Sequence, residues 1–253
     1  MKITVLGSGD AFGSGGRLQT SFHVAPEGAG EAFLIDCGVT ALIGLDRAGL
    51  DPNAVATIFI SHLHGDHFGG LVWWLLHGQH VARRMQPLVI AGPPGIEARF
   101  RAAAEALYPG ATSVPPRFAM TFIELKPGDA VAVGGVTVEV FPVSHPSGAP
   151  SYALRLTSGS GASRRTIAFS GDTEWVEALV EAARGADLYI TECYLPDGPV
   201  RYHLNWATIA RELHRLDATR IMLTHMGRAM LARRGEIDDR RIVVAEDGMV
   251  LDV

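Results

Sequence analysis

Cysteine is scarce in this chain, with two among 253 residues, Cys37 and Cys193. Two thiols cannot form a disulfide framework, and neither has the C-x-x-C spacing of a zinc ligand, so a reducing compartment is expected. Long apolar runs are missing as well. No stretch approaches the roughly 18 to 20 residues of a membrane span, and the amino terminus enters a strand-like Lys2-Ile3-Thr4-Val5-Leu6 without a basic region and apolar stretch before it. The expected location is the cytoplasm, with no membrane partner. Basic charge is in deficit, since 22 Lys and Arg face 27 Asp and Glu, a formal net charge of −5. General nucleic-acid binding, which rests on neutralising phosphates, is not expected from that balance. The arginine pairs at 83–84, 164–165 and 233–234 read as solvated surface. Low-complexity linkers and internal repeats are also absent, so residues 1–253 are expected to form a single domain.

Hydrophobic residues make up 47% of the chain, enough for a sizeable core. Thirteen short β-branched runs, from residues 3–6 to 249–253, alternate with helical patterns at 40–48, 68–77, 95–107, 174–183 and 205–216. The class is therefore α/β. Two glycine-rich segments, 7–16 and 158–161, read as loops, the first near an active site and the second a hairpin tip.

The densest chemistry lies in Ser61-His62-Leu63-His64-Gly65-Asp66-His67, directly after the apolar run at 56–60. Such a His-x-His-x-Asp-His string arises by chance on the order of once per thousand chains of this length. Imidazole and carboxylate without thiolate suit a catalytic zinc, iron or manganese site better than a closed structural one. His62 and His64, two apart on extended chain, point to one side, and Asp66 and His67 follow a turn at Gly65. Three further ligand types end apolar runs, where open α/β folds gather their sites: His145, Asp172 and His225.

Together these residues resemble the metallo-β-lactamase superfamily and, within it, the ribonuclease Z-like branch of metal-dependent phosphodiesterases. The resemblance runs through Leu6-Gly7-Ser8-Gly9, Leu34-Ile35-Asp36-Cys37-Gly38, the histidine motif, Ser170-Gly171-Asp172-Thr173, Leu223-Thr224-His225 and Ala245-Glu246-Asp247-Gly248. It implies an αββα sandwich, two mixed β-sheets packed face to face with helices outside and metals at one rim. It further implies two divalent metal ions, zinc first, with manganese and iron also compatible. His62, His64 and His145 would hold one, Asp66, His67 and His225 the other, and Asp172 would bridge them. The implied reaction is hydrolysis by a water activated at that dinuclear site. Glu192 and His203 would act beside it, the histidine near the scissile phosphate, with Asp66 counted among the catalytic residues as well as the ligands.

The sequence also departs from that branch. Only 26 residues separate His145 from Asp172, too few for the long tRNA-gripping arm, and the motif at His203 continues His-Leu-Asn rather than His-Ser-Thr. A small phosphodiester, a cyclic nucleotide or nucleotide-like compound, is the expected substrate. The alternatives are a lactonase or carboxylic ester hydrolase, then a tRNA 3′ processing endonuclease, then a metal-binding sensor without chemistry. Phe12, Arg17, Trp73, Trp74 and Arg228 are candidates to line the cleft, with at least one tryptophan in the core. The branch also makes a homodimer an expected assembly.

Overall fold

The structure is a computed structural model and describes residues 1–253 apart from 29, 114 and 129. The first half of the chain supplies β1 (Lys2–Gly7), β2 (Ser21–Ala25), β3 (Ala32–Ile35), β4 (Val55–Phe59), β5 (Leu88–Gly92) and β6 (Met120–Glu124), with helices α1 (Ala41–Ala48), α2 (Gly65–Phe68), α3 (Gly70–His80) and α4 (Ile96–Leu107). The second half supplies β7 (Val131–Val133), β8 (Val136–Val143), β9 (Ser151–Ser158), β10 (Arg165–Phe169), β11 (Ala186–Glu192), β12 (Ala218–Thr224), β13 (Ile242–Val244) and β14 (Val250–Asp252), with α5 (Ala178–Ala183), α6 (Trp206–Glu212) and α7 (Arg228–Arg233).

Two seven-stranded sheets result, in the orders β14-β1-β2-β3-β4-β5-β6 and β13-β12-β11-β10-β9-β8-β7. Each is mixed. Strands β3 to β6 and β10 to β13 run parallel, while the remaining neighbours are antiparallel. Strand alternation explains the layering, because successive side chains face opposite sides. Phe33 and Ile35 join the core between the sheets, whereas Leu34 turns to the helices. Leu188 and Ile190 likewise face inward and Tyr189 outward. Phe22 and Phe169 meet edge to face across the sheets at 5.8 Å. α1, α3 and α4 cover one outer face, and α5, α6 and α7 cover the other.

Some elements differ from the sequence expectation. The helix expected at 68–77 is two helices, α2 and α3, joined at Gly69. Gly70 sits against the Cys37 and Gly38 carbonyls, where a Cβ would come within 2.3 Å of the Gly38 oxygen. The helix expected from 174 starts only at Ala178, because Glu174 is tied to Ser144, whose hydroxyl donates to its carboxylate at 2.6 Å. β7 is three residues long, too short to show a period, and α7 was hidden among arginines although Met230 and Leu231 are buried. Arg84, expected at the surface, is buried instead. Its guanidinium donates to the carbonyls of Pro52, Val55, Gln86 and Pro87 at 2.7–3.0 Å. Among the described residues, no helix is long and apolar enough to cross a membrane.

Candidate metal centre

The parallel strands, and β8, which runs in the direction of β10 with the antiparallel β9 between them, deliver their carboxyl ends to one rim, and the sequence-expected residues follow directly from them. β4 leads into Ser61–His67, β10 into Asp172, β11 ends on Glu192, β12 leads into His225, and β8 leads into His145. The two sheets are tied together at this rim: the Tyr152 N–H donates to the Ser61 carbonyl and the His225 N–H to the Ser8 carbonyl, both at 3.0 Å.

All seven expected ligands converge. His62, His64 and His145 form one group and Asp66, His67, Asp172 and His225 another, the ligand atoms of each lying within 4.8 Å of one another. Asp172 reaches both. Its Oδ2 is 3.4 Å from Nε2 of His67 and of His225, and 3.9 Å from Nε2 of His62 and of His145. Two overlapping groups also gather donors, Asp172–Glu192–His203–His225 and Asp36–His62–His67. Their added members are already engaged, Glu192 with His203 and Asp36 with Ser61 and His67. Within the expected set, His62 Nε2, His67 Nε2, Asp172 Oδ1 and His225 Nδ1 are buried without a hydrogen-bond partner. Leaving such atoms unpaired costs roughly 1–3 kcal/mol each, which a bound cation would relieve. The charges agree. Burial works against the charged forms of His67 and His225, yet the carboxylates of Asp172 and Asp66 outweigh it, driving His67 well above the ordinary histidine range and His225 to about 9. The cluster calls for positive charge at its centre, and the residues present fit divalent cations.

Around this set lies a layer of positioning contacts. Asp36, fully buried, accepts from the Ser61 N–H and hydroxyl at 2.8 Å and from His67 Nδ1–H at 2.6 Å. That bond directs His67 Nε2 at the carboxylates, where it would offer its lone pair to a cation that takes the place of its proton. Ser61 Oγ is 3.1 Å from His62 Nδ1, and the Tyr202 carbonyl accepts from His145 Nδ1–H at 2.8 Å. Asp36 stood within a motif of the sequence resemblance, but its role was not assigned. The Tyr202 carbonyl has no signal in sequence. Asp36, Tyr202 and His225 take φ of 55°, 64° and 55°, the left-handed region that non-glycine residues avoid, and such strain concentrates at functional sites.

Glu192 and His203 are brought together as expected. The Glu192 carboxylate accepts from the Thr173 N–H and, at 2.9 Å, from His203 Nδ1–H. Burial, reinforced by Asp172, pushes Glu192 up to about 7, against the pull of His203. Burial opposes protonation of His203, but the hydrogen bond and charge of Glu192 outweigh it and raise its pKa above the ordinary value. The hydrogen bond couples the two ionisations, so Glu192 and His203 titrate as a pair. The cysteines offer no nucleophile, as burial pushes both thiols up beyond reach.

A cavity of about 330 Å³ opens over the cluster, lined by His64, Asp66, His145, Asp172 and His225 of the ligand set, with His203, Tyr194 and the 10–12 segment. A larger one, about 520 Å³, lies between α3, α4 and residues 111–113 and 115–120, away from the cluster, and chemistry favours the smaller. Of the other cleft candidates, only Phe12 reaches it. Arg17 is turned inward, donating to the Ser8 hydroxyl and the Ala245 carbonyl, and Arg228 is exposed on α7. Trp74 is buried on the inner face of α3, and Trp73 packs edge-on against Tyr108 at 6.2 Å.

Known proteins are similar to this chain in sequence and in fold. A ribonuclease Z of Methanosarcina acetivorans is 26% identical over 307 aligned positions, covering 100% of this chain and 98% of its own. Human short-form tRNase Z superposes with a TM-score of 0.78 at 25% identity, covering 100% of this chain and 99% of its own. The metallo-β-lactamase fold protein YhfI of Bacillus subtilis superposes at 0.76 with 20% identity, covering 99% of each chain. The expected metallo-β-lactamase sandwich is therefore the fold found, and the chain is a metallo-hydrolase of that fold related to ribonuclease Z. Over residues 1–247 it matches the model of the family described as anti-Pycsar protein Apyc1, and it belongs to that family.

Proposed function

We propose that the chain is a metal-dependent phosphodiesterase acting on a small phosphodiester, a cyclic nucleotide or nucleotide-like compound. The His203–Glu192 pair carries this reading. His203 Nδ1–H is held by Glu192 at 2.9 Å and lies 3.9 Å from Asp172 Oδ2, so an oriented imidazole shares the cavity with the ligand set. With Nδ1–H fixed, the second proton of a charged His203 rides on Nε2, from which it can pass to the leaving oxygen of a phosphodiester. His62, His64 and His145, with Asp66, His67 and His225, would hold two divalent ions, zinc first, and Asp172 would lie between them. Bound there, such ions supply a nucleophilic water near neutral pH and take up charge developing on substrate oxygens. Asp36, Ser61 and the Tyr202 carbonyl keep the imidazoles turned for that task.

Size supports a small substrate. The cavity of about 330 Å³ sits at the low end of small-molecule sites, roughly 300–1,000 Å³. The ribonuclease Z relative aligns over 307 positions, more than the 253 residues here, so it carries segments this chain lacks. Between His145 and Asp172 this chain has room only for β9, β10 and their short connection.

The test is turnover of bis-p-nitrophenyl phosphate by zinc- or manganese-loaded protein, beside a lactone and a p-nitrophenyl carboxylic ester. Phosphodiester turnover is expected, lost in His64→Ala, and reduced roughly 10²–10⁴-fold in His203→Ala while metal content survives. Cleavage of the carboxylic substrates alone would replace this reading with the lactonase one.

A further inference from the structure

We propose that Phe12 is a stacking platform for the nucleobase of the substrate, set at the mouth of the metal-centre cavity; this rests on the phosphodiesterase reading above. Phe12 is 82% exposed. One exposed phenylalanine is ordinary by itself. What distinguishes this one is a backbone held on both sides. The fully buried Asp10 carboxylate accepts from the Phe12 N–H at 3.2 Å, the Ser14 N–H at 2.8 Å and the Ser14 hydroxyl at 2.7 Å. The Asp10 carbonyl accepts from the Gly13 N–H at 3.1 Å, and Gln19 Nε2 donates to the Ala11 carbonyl at 3.3 Å. Gly13 then turns the chain at φ 63°, which a side chain there would resist. The loop is fixed, and the ring stands in solvent.

That ring borders the cavity whose floor carries His64, Asp172 and His203. Every other lining group is an aspartate or a histidine, except Ala11 and Tyr194, and the Tyr194 ring is already packed against His203 at 5.0 Å. A nucleotide whose phosphate meets the cluster therefore finds a free aromatic face for its base in Phe12. A preformed loop makes such a face effective, because its ordering cost is met on folding rather than on binding.

The experiment compares Phe12→Ala, Phe12→Leu and Phe12→Trp with wild type. On a 3′,5′-cyclic nucleotide, Ala and Leu are expected to raise KM about tenfold with kcat changed far less, and Trp to restore it. The fluorescence that Phe12→Trp adds over wild type should be quenched saturably by AMP and not by ribose 5-phosphate, which has the phosphate and sugar but no base. Equal KM values across the variants, or equal quenching by the two ligands, would overturn the platform. Failure of the wild-type protein to cleave any phosphodiester would instead count against the proposed function, while the quenching comparison still decides the role of Phe12.

Discussion

Replacing Asp36 by asparagine tests whether one buried carboxylate selects the working form of His67. Three donors meet this side chain: the Ser61 N–H, the Ser61 hydroxyl and His67 Nδ1–H. An amide retains one acceptor oxygen, which keeps the Ser61 N–H, and brings an NH₂ group to the other two positions. The hydroxyl can rotate to accept from it. His67 can accept only by giving up its Nδ1 proton, which moves to Nε2, the atom facing Asp66 and Asp172 at 3.3 and 3.4 Å. The lone pair needed for a cation is then occupied. Loss of such a positioning partner lowers metal affinity or activity about 10–100-fold, so the half-site of Asp66, His67 and His225 should weaken by that factor. One charge-assisted hydrogen bond is lost as well, about 1.5–3 kcal/mol, or a fall in Tm of roughly 3–12 °C for a chain of this size. Chelator-competition titration with zinc reads the first quantity and calorimetry of the metal-free protein the second. Zinc affinity in Asp36→Asn equal to wild type at both half-sites would refute the tautomer argument.

Phe169→Ala removes a fully buried ring that meets Phe22 between the sheets, and should cost about 3–5 kcal/mol in urea unfolding with an unchanged slope. Arg84→Met should cost at least about 3 kcal/mol in the same assay, because four carbonyls lose their donor in a buried place; a neutral result would mean that water replaces the guanidinium.

The ligands were legible in sequence for two different reasons. His62, His64, Asp66 and His67 occupy one turn of chain, so their proximity is local and needs no fold. His145, Asp172 and His225 are scattered, yet each follows an apolar strand, and parallel strands carry their carboxyl ends to a common edge. The supporting contacts had no comparable signal. Asp36 acts through a histidine 31 positions away, and its partner is fixed only once β3 and β4 pair. Arg84 looked like surface because charge run against charge run is the rule for arginine pairs, and the four carbonyls that hold it come from chain turns invisible to periodicity. α7 was missed for a related reason, as its arginines masked two buried apolar residues.

Tyr202 separates backbone from side chain in this site. Its carbonyl orients His145, its φ is 64°, and its side chain is 40% exposed. If only the carbonyl matters, glycine should serve as well. Tyr202→Gly relieves the left-handed strain, roughly 1–2 kcal/mol, and loosens the unfolded chain by roughly 0.4–1 kcal/mol, so net stability should hold or rise slightly. Metal affinity at the His62–His64–His145 group should stay at the wild-type level. Tyr202→Pro, whose ring locks φ near −65°, should withdraw the carbonyl and weaken that group as severely as His145→Ala does. Zinc titration of the three variants decides it. A glycine variant as weak as His145→Ala would mean that the tyrosine ring itself holds the histidine, and that the strained backbone at 202 serves the ring rather than the carbonyl.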